Sequence, residues 1–387
     1  MTERLRVLAD LITSCDEGAP CPYVALEHLE SGTGRLVRGL DLPELKNPGT
    51  GVVSVQPGDV LFGKLRPYLA KTWLVDRRAY ASTELLCLRP RPGVDSRWLS
   101  YVCASRPLVD WAVATSDGTK MPRTGWDKLH DYRVTVPEQR QQRAIAYYLD
   151  AETARIDALM EKKQRMVELL DHRLHALAFH LTTRYDRTVP LRRLALQVKT
   201  GTTPNAFVLE RLLDGALPWY SPGDVEEWLG LAEPARSLAV EAVTGGWVPR
   251  FERNSTLVVG IGATAGRVAH LESEASGNQQ MTCIVSGPLL VPRFLSWQLF
   301  SRTAEMKETA PYTTLPIINN GFLKSVSIFL PPLDVQEAVV RQLDDEARRA
   351  KKLLAALYRQ HECMREHRQA LITAAITGQL SVPGMTA

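Results

Sequence analysis

Gln142-Arg-Ala-Ile-Ala-Tyr-Tyr-Leu-Asp150 and Gln336-Glu-Ala-Val-Val-Arg-Gln-Leu-Asp344 are one stretch written twice, 194 residues apart. Each follows a proline, Pro137 or Pro331, and each has a glutamate two residues after its aspartate, Glu152 or Glu346. The same offset pairs Thr119 with Thr313 and Pro122 with Pro316. Further upstream the matches continue with short insertions. Leu85-Leu-Cys-Leu88 pairs with Met281-Thr-Cys-Ile284, Val60-Leu-Phe-Gly63 with Leu257-Val-Val-Gly260, and Leu5-Arg-Val-Leu-Ala9 with Leu191-Arg-Arg-Leu-Ala195. The second copy carries about ten extra residues near 200–215. A run of matches in one order along the whole half points to duplication, which governs how every other feature is read.

Each copy splits by pattern. Residues 1–135 and 188–330 are short apolar segments broken by Gly, Pro, Asn and Asp. Val52–Val55, Val60–Phe62, Leu85–Leu88, Leu257–Val259, Cys283–Val285 and Val326–Phe329 read as strands. Spans 97–113 and 292–308 carry aromatic and aliphatic residues at helical spacing. Residues 138–182 and 332–377 have no internal Gly or Pro. In the first, Leu149, Ile156, Leu170 and Leu177 repeat at seven, with Lys163 the polar break, and Met160, Val167, Leu174 and Leu181 form a second row. In the second, Leu343, Ala350, Leu357, Met364 and Leu371 repeat at seven, beside the less apolar row Ala347, Leu354, His361, Arg368 and Ala375. Such heptads predict coiled-coil packing. Heptads alone would favour a dimerisation hairpin, but the duplication shifts this, since two equivalent helices in one chain can pair with each other. The expected architecture is α+β, with two pseudo-twofold-related globular domains separated by two long helices packed as an antiparallel coiled coil. The expected divisions are 1–135 and 188–330 for the domains, and 136–187 and 331–387 for the helical regions.

Composition limits the function. Lys and Arg number 47 against 43 Asp and Glu, a net charge of +4, and no segment is strongly basic. No run of 18 apolar residues exists, so no membrane span is expected. The six cysteines are scattered without a Cys-x-x-Cys pair, and the histidines show no metal spacing beyond His172 and His175 on a helix face. A reducing cytoplasm is the expected setting. Val258-Val-Gly260-Ile-Gly262-Ala-Thr-Ala-Gly266 looks like a dinucleotide or S-adenosylmethionine loop. However, Arg267–Leu271 reads as another strand and not as a helix, and the first copy has Leu61-Phe-Gly63-Lys-Leu-Arg-Pro67 at that place. No phosphate-binding loop, Asn-Pro-Pro-Tyr-type tetrapeptide or nuclease cluster is present. A non-catalytic binding protein without cofactor or metal is therefore expected. A duplicated protein-binding adaptor is the rival reading.

The helix-leading segments together suggest a family. With them go Leu371-Ile-Thr-Ala-Ala-Ile-Thr-Gly378, Gly58-Asp-Val-Leu-Phe-Gly-Lys-Leu-Arg-Pro-Tyr68, Ser82-Thr-Glu84, Thr200-Gly-Thr-Thr-Pro204 and Asn278-Gln-Gln280. On these the chain resembles, along its whole length, the specificity subunits of type I restriction–modification enzymes. It departs from the pattern at Gln141 and Val335, where a glutamate is usual. The resemblance implies two target recognition domains, each reading half of a split double-stranded DNA sequence, with the helices as a ruler. It implies docking of two methyltransferase subunits that bring S-adenosylmethionine, and allows a restriction subunit that is motor and nuclease. Catalysis would reside in those partners.

Candidate DNA contacts follow from residue chemistry, since Arg and Lys suit guanine edges and phosphates while Gln suits adenine. In the first domain they are Lys64, Arg66 and Lys71 in a loop after a strand, and Lys120 and Arg123 beside Gly118-Thr119. In the second they are Thr202, Thr203, Tyr220, Ser221, Gly262, Thr264, Arg267, Gln279, Gln280, Tyr312 and Thr313, with Gly260 and Gly266 letting backbone approach the duplex. Arg155, Lys162 and Arg165 mark an exposed helix face for partner docking.

Overall fold

The computed structural model describes residues 1–15, 19–46, 51–311 and 317–383, without the side chain of Asp214. The chain divides into two compact units, Met1–Lys163 with Tyr358–Ala387, and Gln164–Leu357. Each unit therefore holds one globular part together with portions of both long helices.

In the first unit the chain enters and leaves the globular part through one antiparallel ribbon, Thr2–Arg4 against Arg133–Thr135. A four-stranded antiparallel sheet runs in the order Ala9–Ile12, Leu85–Pro90, Val60–Gly63, Thr72–Leu74. A second sheet runs Glu44–Leu45, Cys21–Val24, Ala79–Ser82, Val52–Val55, with Cys21–Val24 parallel to Ala79–Ser82. The second unit repeats this plan. Its ribbon is Thr188–Pro190 against Ser327–Phe329. Its four-stranded sheet runs Ala195–Thr200, Met281–Ser286, Ser255–Val259, Val268–Leu271. Its second sheet keeps the parallel pair, Leu213–Tyr220 with Ser276–Gly277. The extra residues of this copy include the short helix Ala206–Leu212.

Two expectations shift. Span 97–113 is two helices, Ser96–Ala104 and Arg106–Ala114, because Ser105 is extended and Pro107 supplies no amide proton for a continuous ladder. Span 292–308 likewise breaks at Arg302 into Pro292–Ser301 and Thr303–Thr309. The copies also align one residue differently near the glycines. Gly63 pairs with Leu85, and Val259 pairs with Met281, so Gly63 corresponds to Val259 and Lys64 to Gly260. Cross-strand partners set this register, and neighbours along the chain do not reveal it.

The long helices span Gln139–Thr183 and Leu333–Ile376. Their inward rows are the heptad rows. Leu149, Ile156, Leu174 and Leu181 are buried, and so are Leu343, Ala347, Leu357 and Ala375. Met160, Val167, Leu170, Leu177, Leu354, Met364 and Leu371 are half-buried on the same stripe. In the first unit Asp157 meets Arg368 and Lys163 meets Gln360, so one helix ascends as the other descends. In the second unit Arg173 meets Glu346 in the same antiparallel sense. Arg368 stands at a heptad position yet is buried. Its guanidinium bonds Asp157 at 3.0 Å and the carbonyls of Gly32 and Thr33 at 2.8 and 2.7 Å.

The repeated glutamine explains how each helix is attached. Gln142 accepts from the Asp95 amide at 2.8 Å and donates to the Gly93 and Pro137 carbonyls. Gln336 accepts from the Val291 amide at 2.8 Å and donates to the Leu289 and Pro331 carbonyls. Both side chains are buried, so each amide satisfies backbone groups that water cannot reach. The repeated aspartate adds a second tie. Asp150 binds Arg97 and Tyr101, and Asp344 binds Arg293 and Trp297, at 2.8–2.9 Å. Replacing Gln336 by alanine strands one buried amide and two carbonyls, each a loss of about 1–3 kcal/mol. In urea unfolding, Gln336→Ala and Gln142→Ala are expected to lower stability by about 2–4 kcal/mol, whereas the exposed Gln342→Ala leaves it unchanged.

His270, in the strand Val268–Leu271, is buried against Ser296 at 3.0 Å, and Ser296 also meets Thr256 at 2.8 Å. Burial, reinforced by the Arg293 charge and opposed by Asp344, pushes its pKa from 6.5 down to about 4. The unfolded chain therefore takes up this proton first on acidification. Stability is complete above about pH 6.5 and falls as the pH drops toward 4, by about 3 kcal/mol for this group. Unfolding midpoints measured across that window are expected to decline less in His270→Asn than in the parent.

Candidate nucleic-acid interface

In each globular part the loops at one end of the four-stranded sheet come together. In the first, residues 64–71 connect Val60–Gly63 to Thr72–Leu74 and lie against 117–124. Leu65 bridges Arg123, the Arg66 amide donates to the Pro122 carbonyl at 2.7 Å, and the Thr124 amide donates to the Lys64 carbonyl at 2.9 Å. The turn after Ala79–Ser82 joins them, since the Lys64 amide donates to the Glu84 carbonyl at 3.0 Å. In the second, the loops are 201–205, 260–267 and 277–280. Gly201 donates to Met281, Thr202 to Gly277, and Gly260 to Gln280 through their amides, at 2.7–3.0 Å. Gly201 is required there, because a Cβ would fall 2.1 Å from the Gly277 carbonyl oxygen.

The hairpin loops 64–71 and 260–267 are equal in length, and strand pairing aligns them residue for residue at an offset of 196. Residues 66 and 70 have φ of 51° and 46°, and their counterparts Gly262 and Gly266 have 109° and 83°. The glycine-rich motif therefore sits in an antiparallel hairpin and opens no helix, which removes the dinucleotide-loop geometry. Gly260 and Gly266 are buried, and added Cβ atoms would press on Ile318 and Thr303. Those two glycines serve internal packing, contrary to the expected approach to a duplex, and Gly262 alone reaches the surface.

Not all predicted contacts present a free group. Lys64 donates to the Thr83 carbonyl at 2.5 Å and Lys71 to the Leu26 carbonyl at 2.9 Å. Arg123 grips Glu84 through two bonds of 2.7 and 2.9 Å. Among the described residues, the Arg66 and Lys120 side chains have no hydrogen bond or ion pair, and both are exposed. Tyr68 and Met121, which residue type alone does not single out, stand half-exposed beside them in sequence. In the second domain Thr202, Thr203 and Gln279 are exposed and Thr264 half-buried, with Thr203 bonded to Gln279. Gln280 is committed at both ends, to the Ile261 carbonyl and to Asn278. Arg267 donates to the Val225 carbonyl at 3.2 Å. Tyr220 and Ser221 are corrected. The Tyr220 ring is buried in the core, where burial raises its pKa and keeps the phenol neutral, and Ser221 caps Asp224. Tyr312 and Thr313 lie outside the described residues. Phe207 and Arg211, on the inserted helix, escape a reading by residue type. The ring is largely exposed, and the guanidinium lies over it at 5.9 Å in the manner of a cation–π pair.

Among the described residues no cluster of His, Cys, Asp and Glu could hold a metal, and no helix is long and apolar enough to cross a membrane.

Comparison with known proteins bears on these loops directly. The family model of the type I restriction modification DNA specificity domain matches residues 195–357. The Type I restriction enzyme EcoDI specificity subunit of Escherichia coli is 26% identical over 102 residues, a match that spans 26% of this chain and 23% of that one. A chain from a solved structure described as "Structural basis underlying complex assembly and conformational transition of the type I R-M system" is 18% identical, covers 98% of both chains and has a TM-score of 0.76. The crystal structure of the HsdS subunit from Thermoanaerobacter tengcongensis is 18% identical, with 98% of this chain and 97% of that one covered and a TM-score of 0.50. At these identities the likeness to the solved structures is one of fold.

Proposed function

We propose, for a chain whose residues 195–357 match the type I restriction modification DNA specificity domain model and whose fold is shared with the HsdS subunit, that it is the DNA-reading subunit of such a complex. Its two globular domains, 1–135 and 188–330, each take half of a bipartite double-stranded target through the loops at the end of the four-stranded sheet. The helical regions 136–187 and 331–387 set the gap between the half-sites and dock two methyltransferase subunits. Those subunits carry S-adenosylmethionine and the chemistry, and a restriction subunit is a further partner of the same assembly. The chain itself catalyses nothing.

The observation that carries this reading is the duplicated loop face. The specificity-domain match covers the second copy of it, and strand pairing repeats the same loops in the first. The helices support a spacer, since 45 and 44 residues at 1.5 Å per residue run to about 65 Å each.

Charge shapes the expected affinity. The first domain has 18 Lys and Arg against 16 Asp and Glu, and the second has 12 against 12. With cations and anions nearly balanced in both domains, phosphate attraction is small for the chain alone. Fluorescence anisotropy at physiological salt is expected to show weak, sequence-indifferent binding by the isolated chain. Adding its cognate methyltransferase is expected to give a tight, sequence-specific complex. An assembly that binds protein partners but shows no sequence preference on DNA would favour the adaptor reading instead.

A further inference from the structure

One position in the first domain's loop face holds an arginine where the fold prefers glycine. Strand pairing makes Arg66 the counterpart of Gly262, and Ala70 the counterpart of Gly266. All four have positive φ, so this hairpin demands left-handed backbone at two points whatever its sequence. The second copy answers with glycine at both, the residue that adopts this conformation freely. The first copy keeps L side chains at both, the exposed Arg66 with φ 51° and ψ 61° and the buried Ala70 with φ 46° and ψ 44°. Such strain persists where surrounding contacts over-determine it, and it concentrates at functional positions.

The surroundings do over-determine it. The Arg66 amide is held by the Pro122 carbonyl at 2.7 Å, its own carbonyl accepts from the Leu69 amide at 2.9 Å, and the Leu65–Arg123 bridge fixes the preceding residue. Arg123 is in turn anchored by Glu84. Internal packing does not account for the side chain, which is exposed and, among the described residues, without a hydrogen bond or ion pair. Its cationic neighbours Lys64, Lys71 and Arg123 are spent on the Thr83 carbonyl, the Leu26 carbonyl and Glu84 respectively. What remains is a guanidinium fork on a rigid, strained base, flanked by the half-exposed Tyr68 and Met121.

We propose that Arg66 is the base-reading residue of the first domain and that it takes a guanine through its major-groove edge. The two parallel N–H donors of the guanidinium match O6 and N7 of guanine, a pairing that no other base offers and that a lysine ammonium cannot reproduce in two-pronged form. The rigid base keeps the fork in place before DNA arrives, so little ordering entropy is lost on contact. Lys120, also without a hydrogen bond or ion pair among the described residues, sits at an exposed turn and suits a phosphate. The second domain, with Gly262 at the equivalent point, has no such fork there. The two half-sites therefore differ in how they are read at this position. The inference rests on the DNA-reading function proposed above.

The test is selection from a randomised duplex library by the full chain assembled with its methyltransferase subunits, for the parent, Arg66→Lys and Arg66→Gly. The parent is expected to select a bipartite motif with a guanine in one half. Both variants are expected to lose preference at that one base pair, on the order of tenfold, with the other half of the motif unchanged. Arg66→Gly relieves the strain, so its thermal midpoint is expected to match or exceed the parent's, which separates lost reading from lost folding. An unchanged motif in both variants, or a uniform loss of affinity with no base position altered, would overturn the role of Arg66 while leaving the DNA-reading function intact. A parent assembly that selects no motif would overturn that function itself.

Discussion

A buried glutamine amide, used twice, joins each long helix to its globular domain. At each junction the N-cap amide of a domain helix, at Asp95 or Val291, and the carbonyls of the loop before it and of the proline before the long helix lack helical partners. Burying that junction without partners would cost more than the junction could return. Gln142 and Gln336 each resolve this with one side chain, which accepts from an amide and donates to two carbonyls. Asp150 and Asp344 add a tie one helical face away. Satisfied polar networks of this kind are stiff and geometrically specific. Each domain is thereby held in one orientation on its own helix, and its loop face inherits that orientation. This also explains why the helix-leading stretch is the part of the duplication that has drifted least in spacing.

Away from that junction the copies have diverged in chemistry while keeping position. At the 194-residue offset Asp157 corresponds to Lys351, and Leu174 to Arg368. In the first unit Arg368, paired with Asp157, donates to the carbonyls of Gly32 and Thr33, and Arg35 joins the same carboxylate at 2.9 Å. In the second unit Leu174 packs with Trp228 and Leu229, and the Trp228 indole donates to Asp171 at 2.9 Å. One loop is clasped to its helices by charge and the other by apolar contact. A buried charge matched to one partner penalises any other pairing more than it adds stability. Asp157 facing Leu174, or Lys351 facing Arg368, would leave a charge unmatched.

Much of this is legible in the sequence. The strands, both long helices and the heptad rows lie where periodicity puts them, because each depends on neighbours within a few residues. Even Arg368, which looks like a flaw in its row, stands at the inward position that its spacing assigns. The duplication by itself argues against a glycine-loop enzyme, since the first copy keeps none of the three glycines in place. What escapes depends on partners far along the chain. The one-residue register of Gly63 is set by Leu85. Which loop cations remain free is decided by Leu26, Thr83 and Glu84. Tyr220 and Ser221 look like binding residues by type, yet the core and Asp224 claim them. Left-handed backbone at Arg66 has no local signal at all, since glycine, its usual marker, occurs only in the other copy.

The proposed DNA-reading function requires two readers held at a fixed separation by paired helices. Binding of the chain with its methyltransferase partner to duplexes carrying both half-sites, with the gap between them varied one base pair at a time, tests this most directly. One gap is expected to bind far more tightly than its neighbours on either side, because each added base pair both lengthens the duplex and rotates the second half-site. Equal affinity across all gaps would show that the domains are independently tethered, and would contradict a rigid ruler.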